Sequence, residues 1–507
     1  MPSPSAIVRS TLRIAIVSPE AVPYAKTGGL ADVAGALPLE LAKLGHDVRL
    51  IIPRYSWIDK SSHPFQRVAE LIVPTAVSPI RAVVEQGQTP SLPNRTTGRL
   101  SVFAIRHDPF FGRSGLYQEH GRDYPDNLER FSFFCRGVLA LLTLFDSTEQ
   151  WRPDVLHLHD WQTTLCVVYL KTLCARQREL TGLQTVLTLH NVGYQGQFPK
   201  AQFEKTGLPA TLFTPAGLEF YGSVNLLKGG ILFADMLTTV SPTYSREIQT
   251  PEFGFGLEGV LAQRKDRLFG IVNGIDTDIW NPSTDPFLPC TYSASDLAGK
   301  AICKQELQRE MTLPVKEMPV LGIVSRFVDQ KGLDLVAAII PELMELDLQM
   351  VILGRGERRY EQQFASFQSD HPEKIALRLG FDEGLAHRIQ AGSDMLLIPS
   401  RYEPCGLTQL HGLRYGTIPV VRKTGGLADT VVPYSPRTIR DRRANGFHFT
   451  DMSPDSLLSV ILLALSVCKV GHEWESLIQA GMRTDVSWAP SVQNYVRVYS
   501  SLCQKKH

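Results

Sequence analysis

Two doubly wound α/β domains, each a parallel sheet covered by helices, are what this 507-residue sequence predicts. Three observations predict it. The chain is too long for one ordinary hydrophobic core and long enough for two. Short β-branched apolar runs alternate with amphipathic helical segments in both halves, the pattern of a helix-covered parallel sheet. Finally, the word Lys-Thr-Gly-Gly-Leu-Ala-Asp occurs twice, at Lys26–Asp32 and at Lys423–Asp429. At roughly one in twenty per position, an identical word of this length has a chance probability of about one in ten thousand, so the two halves carry related local structures.

The strands of the first half are expected at Arg13–Ser18, Val48–Ile52, Leu100–Ile105, Val155–His159, Gln184–Leu189 and Met236–Val240. Around Ile271–Pro282 the sequence becomes turn-rich, and a Pro- and Ser-containing stretch follows to about Ser295. The domain junction is placed there, giving a first domain over 13–280 and a second over 281–488. The alternation restarts at Val320–Ser325, Gln349–Leu353, Ile375–Leu379, Met395–Pro399 and Ile418–Val421. A last helix at Val492–Leu502 follows the break at Trp488-Ala-Pro490, and 489–507 is expected to return to the first domain. Both heptapeptides fall between a strand and a helix. There a Gly-Gly pair lets backbone approach a ligand and a helix N-terminus aims N–H groups at an anion, so two phosphate-facing loops are expected. In open α/β sheets ligands bind beyond the carboxyl ends of the strands, and two facing domains would form one cleft.

Composition narrows the function. A net charge of +1 gives no bulk attraction for nucleic acid or acidic membrane, and no apolar stretch is long enough to span a bilayer. Residues 1–12 lack a secretory apolar core and read as a disordered lead-in, with a transit peptide as the alternative. The eight cysteines are scattered without metal-ligand spacing, which fits a reducing cytoplasmic location. No metal site and no cofactor are expected.

Several groups of residues point to chemistry. Arg326 and Lys331 lie just past a strand and before a helix, where two cations suit a diphosphate better than a solvated helix face does. Glu403 emerges after Met395–Ile398, with Gly406, Leu407 and Thr408 opening a helix; it could grip sugar hydroxyls or complement the helix dipole. Cys405 reads as a packed thiol rather than a nucleophile. His157 and His159 share one face of a strand and read as hydrogen-bonded strand-end histidines rather than a metal pair. His190-Asn191 closes another strand, pointing either to the ligand edge or to the core. Asp276-Thr-Asp278 looks like a metal motif but lies in the turn-rich junction.

Taken together, KTGGLADVAGALP, HDWQTT, TLHNVGYQGQF, VSPTYSREI, VSRFVDQKGLDL, PSRYEPCGLTQL and TGGLADTV resemble the bacterial glycogen synthase and plant starch synthase family, in order and spacing from about Arg13 to Tyr499. The resemblance implies a glycosyltransferase fold of the B type, with ADP-glucose held between two Rossmann-like domains and an α-1,4-glucan extended at its non-reducing end. It implies donor contacts from Lys26, Gly28, Gly29, Asp160, His190, Asn191, Arg326, Lys331, Phe381, Glu403, Cys405, Gly406, Leu407 and Thr408. Tyr117 and Asp32 resemble acceptor-side residues. Lys26, His190, Arg326, Lys331 and Glu403 resemble the catalytic set, with Arg326 and Lys331 as the diphosphate clamp. Gly425 and Gly426 lie close to the same site by similarity. Gln162 stands where some members carry histidine, and Phe381 where others carry tyrosine near adenine, a change that keeps ring stacking and drops a hydroxyl. The rival readings are a related transferase using UDP-glucose or another acceptor, and an inactive sugar-nucleotide or glucan-binding protein. The family retains α configuration, yet no pair of carboxylates stands as nucleophile and acid, so front-face substitution is the expected mechanism.

Overall fold

The computed structural model describes residues 11–60, 64–88 and 96–504, with backbone only at 59 and 60. Of the expected lead-in, residues 1–10 lie outside the described residues. The chain divides into two compact units. One comprises Met1–Val240, Ser245–Asn273 and Trp488–His507; the other comprises Ser241–Tyr244 and Gly274–Ser487. The division after Asn273 precedes the junction placed at 280, and the short piece Ser241–Tyr244 is an exchange that no composition shift announces.

The sheet of the first unit runs, from edge to edge, Leu268–Gly270, Met236–Thr239, Gln184–Leu189, Val155–His159, Arg13–Val17, Asp47–Pro53, Arg99–Arg106, Ile80–Gly87 and Phe65–Val73. From Leu268 to Arg106 every pairing is parallel, and Val155–His159 is buried along its whole length, as a strand covered on both faces must be. The last two strands pair antiparallel, so this sheet is mixed rather than wholly parallel. They escaped the sequence reading because the edge strand Phe65–Val73 is exposed over most of its length and carries no buried apolar run. The helix Gly29–Lys43 buries Ala31, Val33, Ala34, Leu37 and Leu41, the 3.6-residue stripe that seats a helix on a sheet. The final helix, Ala489–Gln504, belongs to this unit: its Tyr495 and Tyr499 are fully buried, and the Tyr499 hydroxyl lies 2.8 Å from His157 Nδ1.

The sheet of the second unit is parallel throughout, in the order Ile375–Leu379, Gln349–Gly356, Val320–Phe327, Met395–Ile398, Ile418–Arg422 and Phe447–Phe449. Its core packs Leu321, Ile323, Met350, Ile352, Leu397 and Val420 under the helices Leu333–Met344 and Pro454–Cys468. The strand Val320–Phe327 runs on past the expected end at Ser325, so Arg326 is a strand residue. Among the described residues no single helix is long and apolar enough to cross a membrane.

The two copies of the repeated word are built differently. Gly28 precedes its helix in an extended conformation, and a Cβ placed there would meet nothing within 4 Å. Gly425 has φ +45, and a Cβ on it would lie 2.0 Å from the carbonyl oxygen of Glu403; one on Gly426 would lie 2.0 Å from that of Cys405. The Gly426 N–H is spent on the Glu403 and Pro404 carbonyls at 3.0 and 3.2 Å. The second copy is packed between two loops while Gly28 in the first is open, so the two copies are not equivalent in build. Gly426→Ala should cost roughly 3 kcal/mol of stability in urea unfolding, while Gly28→Ala should stay within about 0.5 kcal/mol of the parent.

Candidate functional site

In the second unit the residues singled out from sequence gather at the carboxyl edge of the sheet. Lys331 ends a short 3-10 turn, Asp329–Lys331, and Gly332 then leads into the helix Leu333–Met344. Its Nζ lies 2.6 Å from Glu403 Oε2, and Ser400 Oγ donates to the same oxygen at 2.8 Å. The two side chains are only 20% and 10% exposed, so the pair is largely withdrawn from solvent and each charge needs the other. Ser400 carried no sequence signal beyond its place between strand and loop. The loop under Glu403 is tied down from three sides. Arg401 N–H donates to the Gln330 carbonyl at 2.8 Å, Gln330 Nε2 donates to the Tyr402 carbonyl at 3.1 Å, and the Gly425–Gly426 pair closes on it from behind.

Cys405 is buried, Gly406 takes φ +72, and Thr408 opens the helix Thr408–Arg414. The conformation there is held by Gln409, whose Nε2 donates to the Cys405 and Gly406 carbonyls at 3.0 and 2.8 Å. Arg326 is exposed one residue before the end of its strand, where Phe327 is buried. Phe381, assigned to the adenine, is 85% exposed on the turn between Ile375–Leu379 and the helix Glu383–Gly392. Asp429, the last residue of the second heptapeptide, accepts from Ser241 Oγ at 2.7 Å and from the N–H and hydroxyl of Thr243 at 2.9 and 2.6 Å. Asp276 is engaged in its own turn, accepting from the Asp278 and Ile279 N–H groups.

In the first unit the equivalent edge is built around three histidines and two buried acids, Asp160 and Glu20. His159 and His190 end adjacent strands, and His159 Nδ1 lies 2.9 Å from His190 Nε2. Behind them His157 Nε2 meets Thr188 Oγ1 at 2.6 Å, and Thr188 meets Thr238 at 2.6 Å. Burial pushes His157 and His190 down to about 3 and His159 well below its ordinary value, so all three are uncharged at neutral pH. Asp160 takes φ +54, which turns its carboxylate back so that Oδ1 accepts the His190 N–H at 2.7 Å. Its pKa rises from 3.8 to about 8, chiefly because it is buried and further because Glu20 is near. The neighbouring Asn191 side chain accepts from the Gly193 N–H at 2.9 Å, shaping the turn that follows.

Glu20 is the residue that sequence reasoning missed. It lies three residues past the first strand, is 4% exposed, and takes three donors: the Thr27 N–H at 2.5 Å, the Thr27 hydroxyl at 2.6 Å and the Tyr117 hydroxyl at 2.6 Å. It thereby joins the heptapeptide loop to Tyr117, whose phenol is held neutral by burial and by that carboxylate. Beside it Lys26 pairs with Asp32 at 2.7 Å on a half-exposed face. The first turn of the helix Gly29–Lys43 has no side-chain cap, which leaves its N–H groups directed at the loop.

Comparison with known proteins agrees with this geometry in both units. Residues 13–263 match the family model described as the starch synthase catalytic domain, and 304–475 match glycosyl transferases group 1. The glycogen synthase of Syntrophotalea carbinolica is 45% identical over 498 residues, covering 98% of this chain and 100% of that one. That of Anaeromyxobacter dehalogenans is 46% identical over 493 residues, covering 97% and 99%. The catalytic domain of starch synthase IV from Arabidopsis thaliana, solved with ADP and acarbose, aligns with a TM-score of 0.88 at 33% identity over 98% of this chain and 100% of that one. Sucrose-phosphate synthase from Thermosynechococcus elongatus, at 15% identity and a TM-score of 0.57 over 97% of this chain and 100% of that one, shares the fold. Two Rossmann-like units, a carboxylate–lysine pair at one sheet edge, a histidine–aspartate edge on the other and identity of this extent together place the chain in the glycogen and starch synthase family of B-type glycosyltransferases.

Proposed function

We propose that the protein transfers glucose from ADP-glucose to the non-reducing end of an α-1,4-glucan with retention of configuration. The observation that carries the reading is the withdrawn Lys331–Glu403–Ser400 group at a strand edge of a chain in this family. Breaking the bond between the anomeric carbon and the phosphate oxygen leaves negative charge on the diphosphate and positive charge on the sugar. Arg326 and Lys331 are the cations assigned to the former, and a Lys331 ammonium held by one hydrogen bond to Glu403 keeps two N–H groups for phosphate oxygens. Both donors to Glu403 converge on Oε2, so Oε1 is assigned to a glucose hydroxyl. In the first unit, His190 and Asp160 are assigned to the glucose ring, with Lys26, Gly28, Gly29 and Asn191 as further donor contacts and Tyr117 and Asp32 on the acceptor side. Phe381, Cys405, Gly406, Leu407 and Thr408 are assigned to the nucleotide and glucose.

The acceptor 4-hydroxyl attacks the anomeric carbon from the face the phosphate leaves. The new carbon–oxygen bond forms as the old one breaks, and the hydroxyl proton passes to the departing phosphate oxygen. Neutral histidines suit this chemistry. A charged His190 would compete for the leaving phosphate, whereas a neutral ring donates or accepts one hydrogen bond without displacing it. A trapped covalent glucosyl–Glu403 species would overturn the front-face route.

Incubation with ADP-glucose and maltotetraose should extend the oligosaccharide and release ADP, with UDP-glucose turning over more slowly. Glu403→Ala and Lys331→Ala should each lower turnover by orders of magnitude, since one well-placed group on developing charge is worth roughly 3 to 4 kcal/mol. Absence of extension with either donor would sink the proposal. Because the first heptapeptide faces an open loop and the second is packed, Lys26→Ala should reduce kcat more than Lys423→Ala; the reverse order would show the roles exchanged. Asp160 gives a pH signature. Its folded-state value lies above its unfolded one, so the stability it contributes is complete below 3.8 and is lost as pH rises to about 8. Thermal unfolding followed from pH 4 to 9 should show Asp160→Asn gaining on the parent by up to about 1.4 kcal/mol per pH unit within that window and holding level above it.

A further inference from the structure

Between His190 and Gly256 the exposed large apolar side chains are Tyr194, Tyr221 and Phe255, at 53%, 85% and 41%, with no exposed leucine, isoleucine or valine among them. Two of these aromatics sit in an unusual backbone. Tyr221 has φ +47 and Gly222 φ +82; Phe255 has φ +51 and Gly256 φ +85. Tyr221-Gly222 is the two-residue loop of the hairpin Glu219–Phe220/Ser223–Asn225. The first position of such a loop is the natural place for Asn, Asp or Gly, and a bulky aromatic there is held against its own preference. Strain of this kind persists at sites where the side chain is needed in that direction.

The two turns touch. A Cβ on Gly256 would lie 2.8 Å from the Phe220 ring and 3.6 Å from that of Tyr221, so both turns form one surface. Gln195, 5% exposed, binds that surface to the loop that begins at His190. Its Nε2 donates to the Phe255 and Val192 carbonyls at 3.0 Å each, and its Oε1 accepts from Asn225 of the hairpin at 2.6 Å and from Gln197 at 2.9 Å. Tyr194 follows in the same loop, its N–H donating to the Asn191 carbonyl at 3.1 Å.

We propose that Tyr221 and Phe255 form an aromatic subsite for the α-glucan chain, taking glucosyl units removed from the point of transfer. The proposal rests on the glucan reading above. A pyranose ring has a C–H-lined face and a rim of hydroxyls; it fits an aromatic face with polar groups in the same turn, here the Glu219 carboxylate that accepts the Gly222 N–H at 2.8 Å, better than an aliphatic patch. A protein partner would be met by a surface that mixes large aliphatic and aromatic groups, and exposed leucine, isoleucine and valine are absent among the described residues of this stretch. Because the platform is carried on a rigid hairpin tied through Gln195, it orders a long acceptor and does nothing for a short one.

Direct binding of maltoheptaose and of maltose by calorimetry, without any donor, tests the subsite, alongside transfer kinetics on the same preparations. Tyr221→Asn and Tyr221→Ala should weaken maltoheptaose binding on the order of tenfold and leave maltose unchanged, and Tyr221→Phe should stay close to the parent. Tyr221→Asn should also raise Tm by about 2 °C, because asparagine accepts the left-handed turn; a purely structural tyrosine would give the opposite sign. Unchanged maltoheptaose affinity in both variants, failure of the parent to bind maltoheptaose, or loss of binding to a protein partner with glucan affinity intact would each overturn the subsite. A parent that binds maltoheptaose through Tyr221 and yet extends nothing would leave the subsite standing and remove the transferase reading.

Discussion

Backbone against backbone is the tightest constraint in the second unit: two glycines of one loop lie on the carbonyls of Glu403 and Cys405 with no room for a side chain between them. Everything that gives Glu403 its direction follows from that approach. The carboxylate leaves a loop that cannot relax toward the strand Ile418–Arg422, meets Lys331 from the neighbouring crossover, and is turned by Ser400. The same approach fixes the entrance to the helix Thr408–Arg414, because Thr430 Oγ1, which donates to the Gly426 carbonyl at 2.6 Å, also accepts from Gln409 at 3.1 Å. An ion pair on a loose loop in water is worth little; here burial and a rigid support make each charge depend on the other.

The first unit solves a different electrostatic problem. Its strands carry three histidines and two threonines that, with Tyr499 of the last helix, are joined by hydrogen bonds, and Glu20 accepts from three donors. Uncharged imidazoles leave those strand ends without cations of their own. The two units thus differ less in fold than in the kind of charge they can tolerate at the same topological position.

The sequence made the central strands legible because each is a short buried run, and it made the glycine words, Lys331, Glu403 and His190 legible because each lies within a few residues of such a run; Asp160 was legible only through the family resemblance. It could not reveal the antiparallel strands Phe65–Val73, which is exposed over most of its length at the sheet edge, and Ile80–Gly87, whose buried positions are broken by Arg81 and Gln86 rather than forming an apolar run. Nor could it reveal Glu20, whose partner Tyr117 is 97 positions away, or Asp429, which meets Ser241 across 188. Local pattern reports what a residue buries next to its neighbours; it is silent about hydrogen bonds that exist only after distant segments have met. The repeated heptapeptide shows the limit most plainly. Identical letters specify the same strand–loop–helix passage twice, while the surroundings decide that one copy is open and the other packed.

The last helix carries a consequence of its own. Tyr499 supplies the hydroxyl that satisfies His157 in the middle of the first sheet, and Ser491 Oγ donates to the carbonyl of Val272. A strand in the middle of the first sheet is thus completed by a helix 342 positions further along the chain, with Gly274–Ser487 of the second unit lying between them in sequence. The hydrogen bonds of that strand cannot all be made until the helix has been synthesised, so completion of the first unit waits on residues that follow the second.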